Sequence, residues 1–275
     1  MLAHAAWRRH AGILPPAGPR RYTTAMSVQA AAPPARSYVI EGRTVTMPVV
    51  VRDATSAAAT YLVDAAAARR LLPGPELDVV ELLPGGALFS IACIQYRDND
   101  LGDYNEVSLA FFVRRRDEPR GVPWLGAAVD LMRSRLATWI WKLPVNQSFT
   151  RAAGSGIWGF PKTIEEIEFA EDGGRSSCRL VMGGRHVLTM AMAHGGARTI
   201  PDATMTTYTY LDRRLHRTAF TSGASGVGIH LGGVELTLGD HPIADDLRAL
   251  GLPRRALLGV WLGKMHGRFE VPEAC

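Results

Sequence analysis

A chain of 275 residues, 47% of them hydrophobic, can bury one sizeable core or two small ones. No run approaches the roughly 18–20 uninterrupted apolar residues of a membrane-spanning helix, which predicts a soluble, cytoplasmic protein with no membrane partner. The formal net charge of +5 loses four units with Arg8, Arg9, Arg20 and Arg21, and the +1 that remains predicts no nucleic-acid partner.

Residues 1–36 contain no Asp or Glu and are rich in Ala, Pro and Arg. They are expected to be a disordered leader, or an extension from a mis-assigned start upstream of Met26; an organelle transit peptide shares this composition. A single domain is expected over 37–275. Residues 38–51, YVIEGRTVTMPVVV, alternate and are β-branched, which predicts a strand. Arg43 has the parity of Val45, Met47, Val49 and Val51, so a regular strand would turn it to the apolar side, where it needs an anionic partner. The Ala- and Leu-rich stretch 56–72, closed by Pro73 and Gly74, predicts a helix. Strands are predicted over 87–97, 106–115, 164–170, 176–182, 185–192, 204–212 and 226–237, with glycine pairs as turns. A last helix is predicted over 242–250, capped by Asp240 or His241, with Pro242 in its first turn and Gly251 beyond its end. Strands dominate without βαβ alternation. The expected fold class is therefore α+β, a mostly antiparallel sheet or barrel with a few flanking helices.

Several motifs fail on context. Gly154-Ser-Gly156-Ile-Trp-Gly159 fits a dinucleotide fingerprint in spacing only. Phe160-Pro161 follows it, where a helix should begin, and the glycines read as a tight turn. The eight histidines form no HxH or HxxxH pair, so no metal site is expected. Cys93, Cys178 and Cys275 are widely separated, as expected of reduced cytosolic thiols.

Only three of the 31 basic residues are lysines: Lys142, Lys162 and Lys264. Lys162 ends the run GSGIWGFPK, beside two bulky apolar residues and a proline. An amine nucleophile must be neutral, and burial or a nearby cation depresses a lysine pKa enough to make it so. Such a lysine condenses with a ketone to a protonated imine, which is an electron sink. On residue types alone this is a weak signal, and an exposed lysine after a turn is the stronger reading.

Longer segments add a resemblance. Gly154–Thr163 resembles the active-site stretch of acetoacetate decarboxylases, in which a Gly-rich turn and an aromatic-Pro pair lead to two consecutive lysines, the first forming the Schiff base. Leu101-Gly-Asp-Tyr-Asn-Glu106, followed by VSLAFFV, is similar to that family's segment with a functional glutamate. Residues 38–43, YVIEGR, resemble its strand with a substrate-side arginine, and Gly239 through Arg254 is similar to its C-terminal part. The resemblance runs from about Tyr38 to the end. It implies Lys162 as imine nucleophile, Glu106 as the group that orients and moves protons, Arg43 as holder of the substrate carboxylate, and Trp158 and Phe160 on the substrate side. Lys142 and Lys264 match no motif and are expected at the surface.

The sequence departs from the family pattern at three places. Thr163 stands for the second lysine, Ile91 for a second glutamate on the preceding strand, and Ser155-Gly156 for an Arg-Glu pair. Depression of the Lys162 pKa would then have to come from burial or from Arg43. The resemblance implies a Schiff-base lyase acting on a small keto acid, most simply an acetoacetate-like β-keto acid decarboxylase. Such an enzyme would need no metal and no organic cofactor, and the family implies a homo-oligomer. The alternatives are a non-catalytic ligand-binding or assembly protein on the same fold, and an imine-dependent aldolase or dehydratase.

Overall fold

The computed structural model describes residues 36–118, 130 and 136–275; apart from Arg36, the expected leader lies outside the described residues. The first expected strand, 38–51, is a hairpin followed by the start of another strand. β1 (Ser37–Ile40) and β2 (Arg43–Thr46) pair antiparallel across a two-residue turn, with Glu41 at φ 47° and Gly42 at φ 78°. β3 (Val49–Asp64) then runs through most of the segment predicted as a helix. Only its end is helical: α1 (Ala65–Leu71), capped by the Asp64 carboxylate, which accepts from the Ala67 amide at 2.6 Å. The cause of the error is tertiary. Ala57, Ala59, Tyr61 and Val63 alternate with Ser56, Ala58 and Thr60, and strands pair with β3 on both edges, which outweighs the helix propensity of alanine.

The chain continues through β4 (Leu77–Val79), β5 (Glu81–Leu83), β6 (Gly86–Asn99), β7 (Tyr104–Arg115) and β8 (Ala137–Val145) to α2 (Ser148–Trp158). After α2 come β9 (Lys162–Ile164), β10 (Glu166–Asp172), β11 (Arg175–Met182), β12 (Arg185–Ala193), β13 (Arg198–Leu211), β14 (Arg214–His230) and β15 (Val234–Leu238). The chain closes with α3 (Pro242–Ala249), β16 (Leu258–Phe269) and β17 (Glu273–Ala274). The strand expected over 226–237 is thus the end of β14 plus β15, broken by Gly232 and Gly233 at positive φ. Neither β8, β16 nor α2 stood out in the sequence. α3 begins as expected, with the His241 side chain accepting from the Ile243 amide.

Strands β3, β6, β7, β8, β13, β14 and β16 pair in a ring, closed between β7 and β8, and so form a barrel. All of these pairings are antiparallel except that of β8 with β13. β9 extends the wall by parallel pairing with β8. A separate antiparallel sheet, in the order β10-β11-β12-β15, packs against the outside of the barrel. Between the two lies the main core: Phe89, Ile91, Cys93 and Leu109 from the barrel meet Cys178, Leu180, Leu188 and Met190 from the sheet, with Leu247 from α3. The expected α+β class with an antiparallel barrel is the observed one. The period-2 pattern makes this barrel two-faced: on β6, Phe89, Ile91 and Cys93 enter the core while Ser90, Ala92, Ile94 and Tyr96 face the lumen.

Candidate active site

Lys162 is the first residue of β9, opposite Leu143 at the end of β8. The fifteen or so residues between these strands form a helical detour that shapes the lysine's surroundings. The Gln147 side chain caps α2 by accepting from the Thr150 amide at 2.6 Å. The helix ends at Gly159, whose left-handed φ of 71° lets the chain reverse; a Cβ there would lie 2.6 Å from the Tyr210 carbonyl oxygen. Phe160-Pro161 then leads straight into β9. The tight turn expected over 154–159 is therefore confined to Gly159, and Gly154 and Gly156 are helical.

Thr150 and Gly154 share one face of α2, as an i, i+4 pair must, and that face meets the lysine. Lys162 Nζ donates to Thr150 Oγ1 at 3.0 Å. A Cβ at Gly154 would fall 2.6 Å from Lys162 Cδ, so the glycine makes room for the lysine stem. On the other side, Glu106 projects from β7 and its Oε2 lies 2.9 Å from Nζ, both side chains buried. The Tyr104 ring stands 4.8 Å from Nζ, and Tyr96, stacked on Tyr104 at 4.4 Å, donates a long 3.4 Å bond to Glu106 Oε1.

Burial by itself pulls the Lys162 pKa down, as the sequence suggested. The Glu106 carboxylate and then Tyr104 more than offset this, so the resting lysine is held above its ordinary value. It is an ammonium at neutral pH. Burial pushes the Tyr104 phenol up, partly countered by Lys162, and pushes Tyr96 up well above its usual range, with Glu106 adding to the effect.

Lys162 and Glu106 open into a cavity of about 340 Å³ that occupies the barrel lumen. Trp158 and Phe160, stacked at 5.7 Å, also line it, so four of the five expected site residues come together. The fifth does not. Arg43 sits on the exposed tip of the β1–β2 hairpin, its guanidinium 3.7 Å from the centre of the Phe149 ring, and is not part of the cavity wall. It shares the parity of the buried Val45 and Met47, but β2 begins at this residue and the apolar side beyond Val45 gives way to solvent. Lys264 is exposed and Lys142 half-buried beside Trp141, so Lys162 is the lysine of the cavity.

The departures from the family pattern acquire places. Thr163 is exposed, one residue out of phase with Lys162. Ile91 is fully buried in the outer core between Ala59 and Leu109, on the face of β6 turned away from the lumen. The lumen neighbour of Glu106 on β6 is Ile94, with Tyr96 next to it. Sequence reading missed Thr150, Gly154, Tyr96 and Tyr104. Tyr104 carried a signal, since it shares the parity of Glu106 two residues on. Thr150 and Gly154 would have emerged only by reading 148–158 as a helix. Among the described residues, no three of His, Cys, Asp or Glu converge as a metal-binding group, and no helix is long and apolar enough to cross a membrane.

A family model for acetoacetate decarboxylase matches residues 32–266. Among curated proteins no sequence matches significantly. Of solved structures, the acetoacetate decarboxylase of Legionella pneumophila subsp. pneumophila str. Philadelphia 1 is 14% identical with a TM-score of 0.59, over 83% of this chain and 87% of that one. The enduracididine biosynthesis enzyme MppR, complexed with pyruvate, is 19% identical with a TM-score of 0.54, over 94% and 98%. An acetoacetate decarboxylase-like enzyme from Sphingomonas wittichii RW1 is 14% identical with a TM-score of 0.53, over 85% and 96%. At these identities the likeness is one of fold.

Proposed function

The chain belongs to the acetoacetate decarboxylase family of enzymes, and from that premise we propose that it is a Schiff-base lyase acting on a β-keto acid through Lys162. The observation that carries this reading is the buried Lys162–Glu106 pair, 2.9 Å apart at the wall of a closed barrel cavity. As an ammonium the lysine is unreactive. Substrate entry displaces water, which weakens charge separation in the pair, and Nζ passes a proton to Glu106. The free amine adds to the ketone carbon. The resulting carbinolamine takes the proton back on its hydroxyl and loses water, leaving a protonated imine.

Cleavage of the bond to the carboxylate sends its electron pair to the iminium nitrogen, releasing carbon dioxide and leaving an enamine. The enamine carbon takes a proton from water by way of Glu106, and hydrolysis of the restored imine then returns lysine and ketone. Thr150 holds Nζ in line throughout. Trp158 and Phe160 keep the site dry, and the imine supplies the electron sink that a metal or organic cofactor would otherwise provide. A second reading, an imine-dependent condensation or dehydration of a keto acid, is favoured by one observation: Thr163 stands where the decarboxylases carry a second lysine.

The test is intact mass after incubation with acetoacetate and borohydride, beside a Lys162→Ala control. Borohydride fixes an imine as a stable amine. A wild-type adduct that vanishes in the control is the expected result. Absence of any adduct with acetoacetate, pyruvate and longer keto acids would sink the imine mechanism and favour a binding protein on this fold. Carbon dioxide release, measured on the same samples, separates decarboxylation from condensation.

A further inference from the structure

The cavity does not end at the lysine. The interior of a barrel this small is ordinarily filled by its own side chains. In this barrel the two rungs beyond Glu106 on β3, β6 and β7 carry small residues, with Ile140 beside Ala110 and Phe112 at the far end. Ala58, Ala92 and Ser108 are direct cross-strand neighbours, and Thr60, Ser90 and Ala110 form the next rung. All six line the same cavity of about 340 Å³ as Lys162. From Glu106 to Ala110 the wall of β7 extends four residues, about 13 Å at the usual strand rise.

Volume, charge and side-chain size point the same way. At about 30 Å³ per water-sized unit, the cavity holds roughly eleven such units, against the seven non-hydrogen atoms of acetoacetate. Among the described lining residues, Lys162 is the one cation and Glu106 the one anion, and they pair with each other. A second carboxylate deeper in the lumen would be buried without a partner, which is costly. The methyl groups and short hydroxyls of the far rungs suit a thin, uncharged occupant.

We infer that the lumen is a tail channel, and that the substrate is a keto acid whose ketone meets Lys162 while an unbranched apolar tail of several methylenes runs past Ala92 toward Ala110. The inference rests on the imine reading for what happens at the ketone, and on the cavity alone for the tail. Tail length is therefore the specificity determinant, read by the small residues on β3, β6 and β7.

The experiment compares borohydride trapping of the full-length protein with acetoacetate, 3-oxohexanoate and 3-oxooctanoate at limiting concentrations. Each buried methylene should raise the trapping rate roughly three- to fourfold, so the four added between acetoacetate and 3-oxooctanoate give roughly 80- to 250-fold. Ala92→Leu, and separately Ser90→Leu in case the first fails to fold, should collapse that ratio to within about threefold by narrowing the channel. Calorimetric titration of octanoate and butanoate, which form no imine, reads the tail preference independently. Adducts on all three keto acids with a flat ratio would overturn the channel and leave the imine standing. No adducts, with octanoate still preferred and Ala92→Leu erasing the preference, would uphold the channel and remove the imine. Neither adducts nor preference would remove both.

Discussion

Replacing Glu106 by Gln tests the electrostatic core of the site. The substitution keeps the shape of the side chain and removes the charge that lies 2.9 Å from Lys162 Nζ. Removing one partner of a buried ion pair costs about 3–5 kcal/mol, because the other charge is left uncompensated. Lysine has an escape from that penalty, which is to shed its proton. In the wild type Glu106 and Tyr104 hold the lysine pKa above its ordinary value against the pull of burial. The contribution of the pair to stability is then fully present below the unfolded lysine value, about 10.4, and is lost as pH rises through the higher folded value. In the variant burial meets opposition from Tyr104 alone, and the folded pKa falls below the unfolded one. The unfolded variant then binds a proton that the folded variant does not, so its stability increases with pH up to the unfolded value. The difference between the two proteins should be about 3–5 kcal/mol at about pH 7 and should narrow by about pH 10. Urea denaturation at both pH values reads it. The rate of reductive trapping at Lys162 gives a second readout, since its pH profile should move to lower pH in the variant. A variant as stable as the wild type at neutral pH, or a gap unchanged up to the alkaline end, would refute the assignment of this pair as the source of the lysine's charge state.

Gly154→Ala places a methyl 2.6 Å from Lys162 Cδ; helix propensity favours alanine by roughly 0.5–1 kcal/mol, so thermal stability should change little while trapping at Lys162 falls by about tenfold or more. Unchanged trapping would contradict the packing described. Arg43→Ala should leave the trapping rate within about twofold of wild type, because the side chain is exposed and stacked on Phe149 rather than lining the cavity. A loss of a hundredfold would restore Arg43 to the substrate. Ile91→Glu should lower the unfolding free energy by about 3 kcal/mol or more, since the carboxylate would enter the apolar outer core and not the lumen. Gain of activity without loss of stability would mean that the register of β6 is misjudged.

Much of the site was legible in linear order. Lys162 and Glu106 stood in segments specific enough to single them out, and Trp158 and Phe160 lay four and two residues before the lysine. The glycine-punctuated strands from β10 to β12 and the capped helix α3 were also readable, because turn and cap chemistry is local. What failed was everything decided by distant neighbours. The alanines of β3 favour a helix on their own and become a strand because β6 and β16 bind both edges. Gly154 looks like a turn residue and is a helical one, since its role is to leave space for a side chain eight residues on. Arg43 had the right parity and the wrong depth, because a strand pattern says nothing of where a hairpin ends. The charge of Lys162 was the subtlest case: burial is local in its sign, but the carboxylate that reverses it arrives from a strand 56 positions away. The sequence by itself singled out candidate residues for the chemistry and indicated that alternating strands would enclose them. Only the tertiary structure decided how deep each one lies, which partner it meets and how far the lumen runs beyond it, because closure of a barrel is set by pairings between segments that no local pattern encodes.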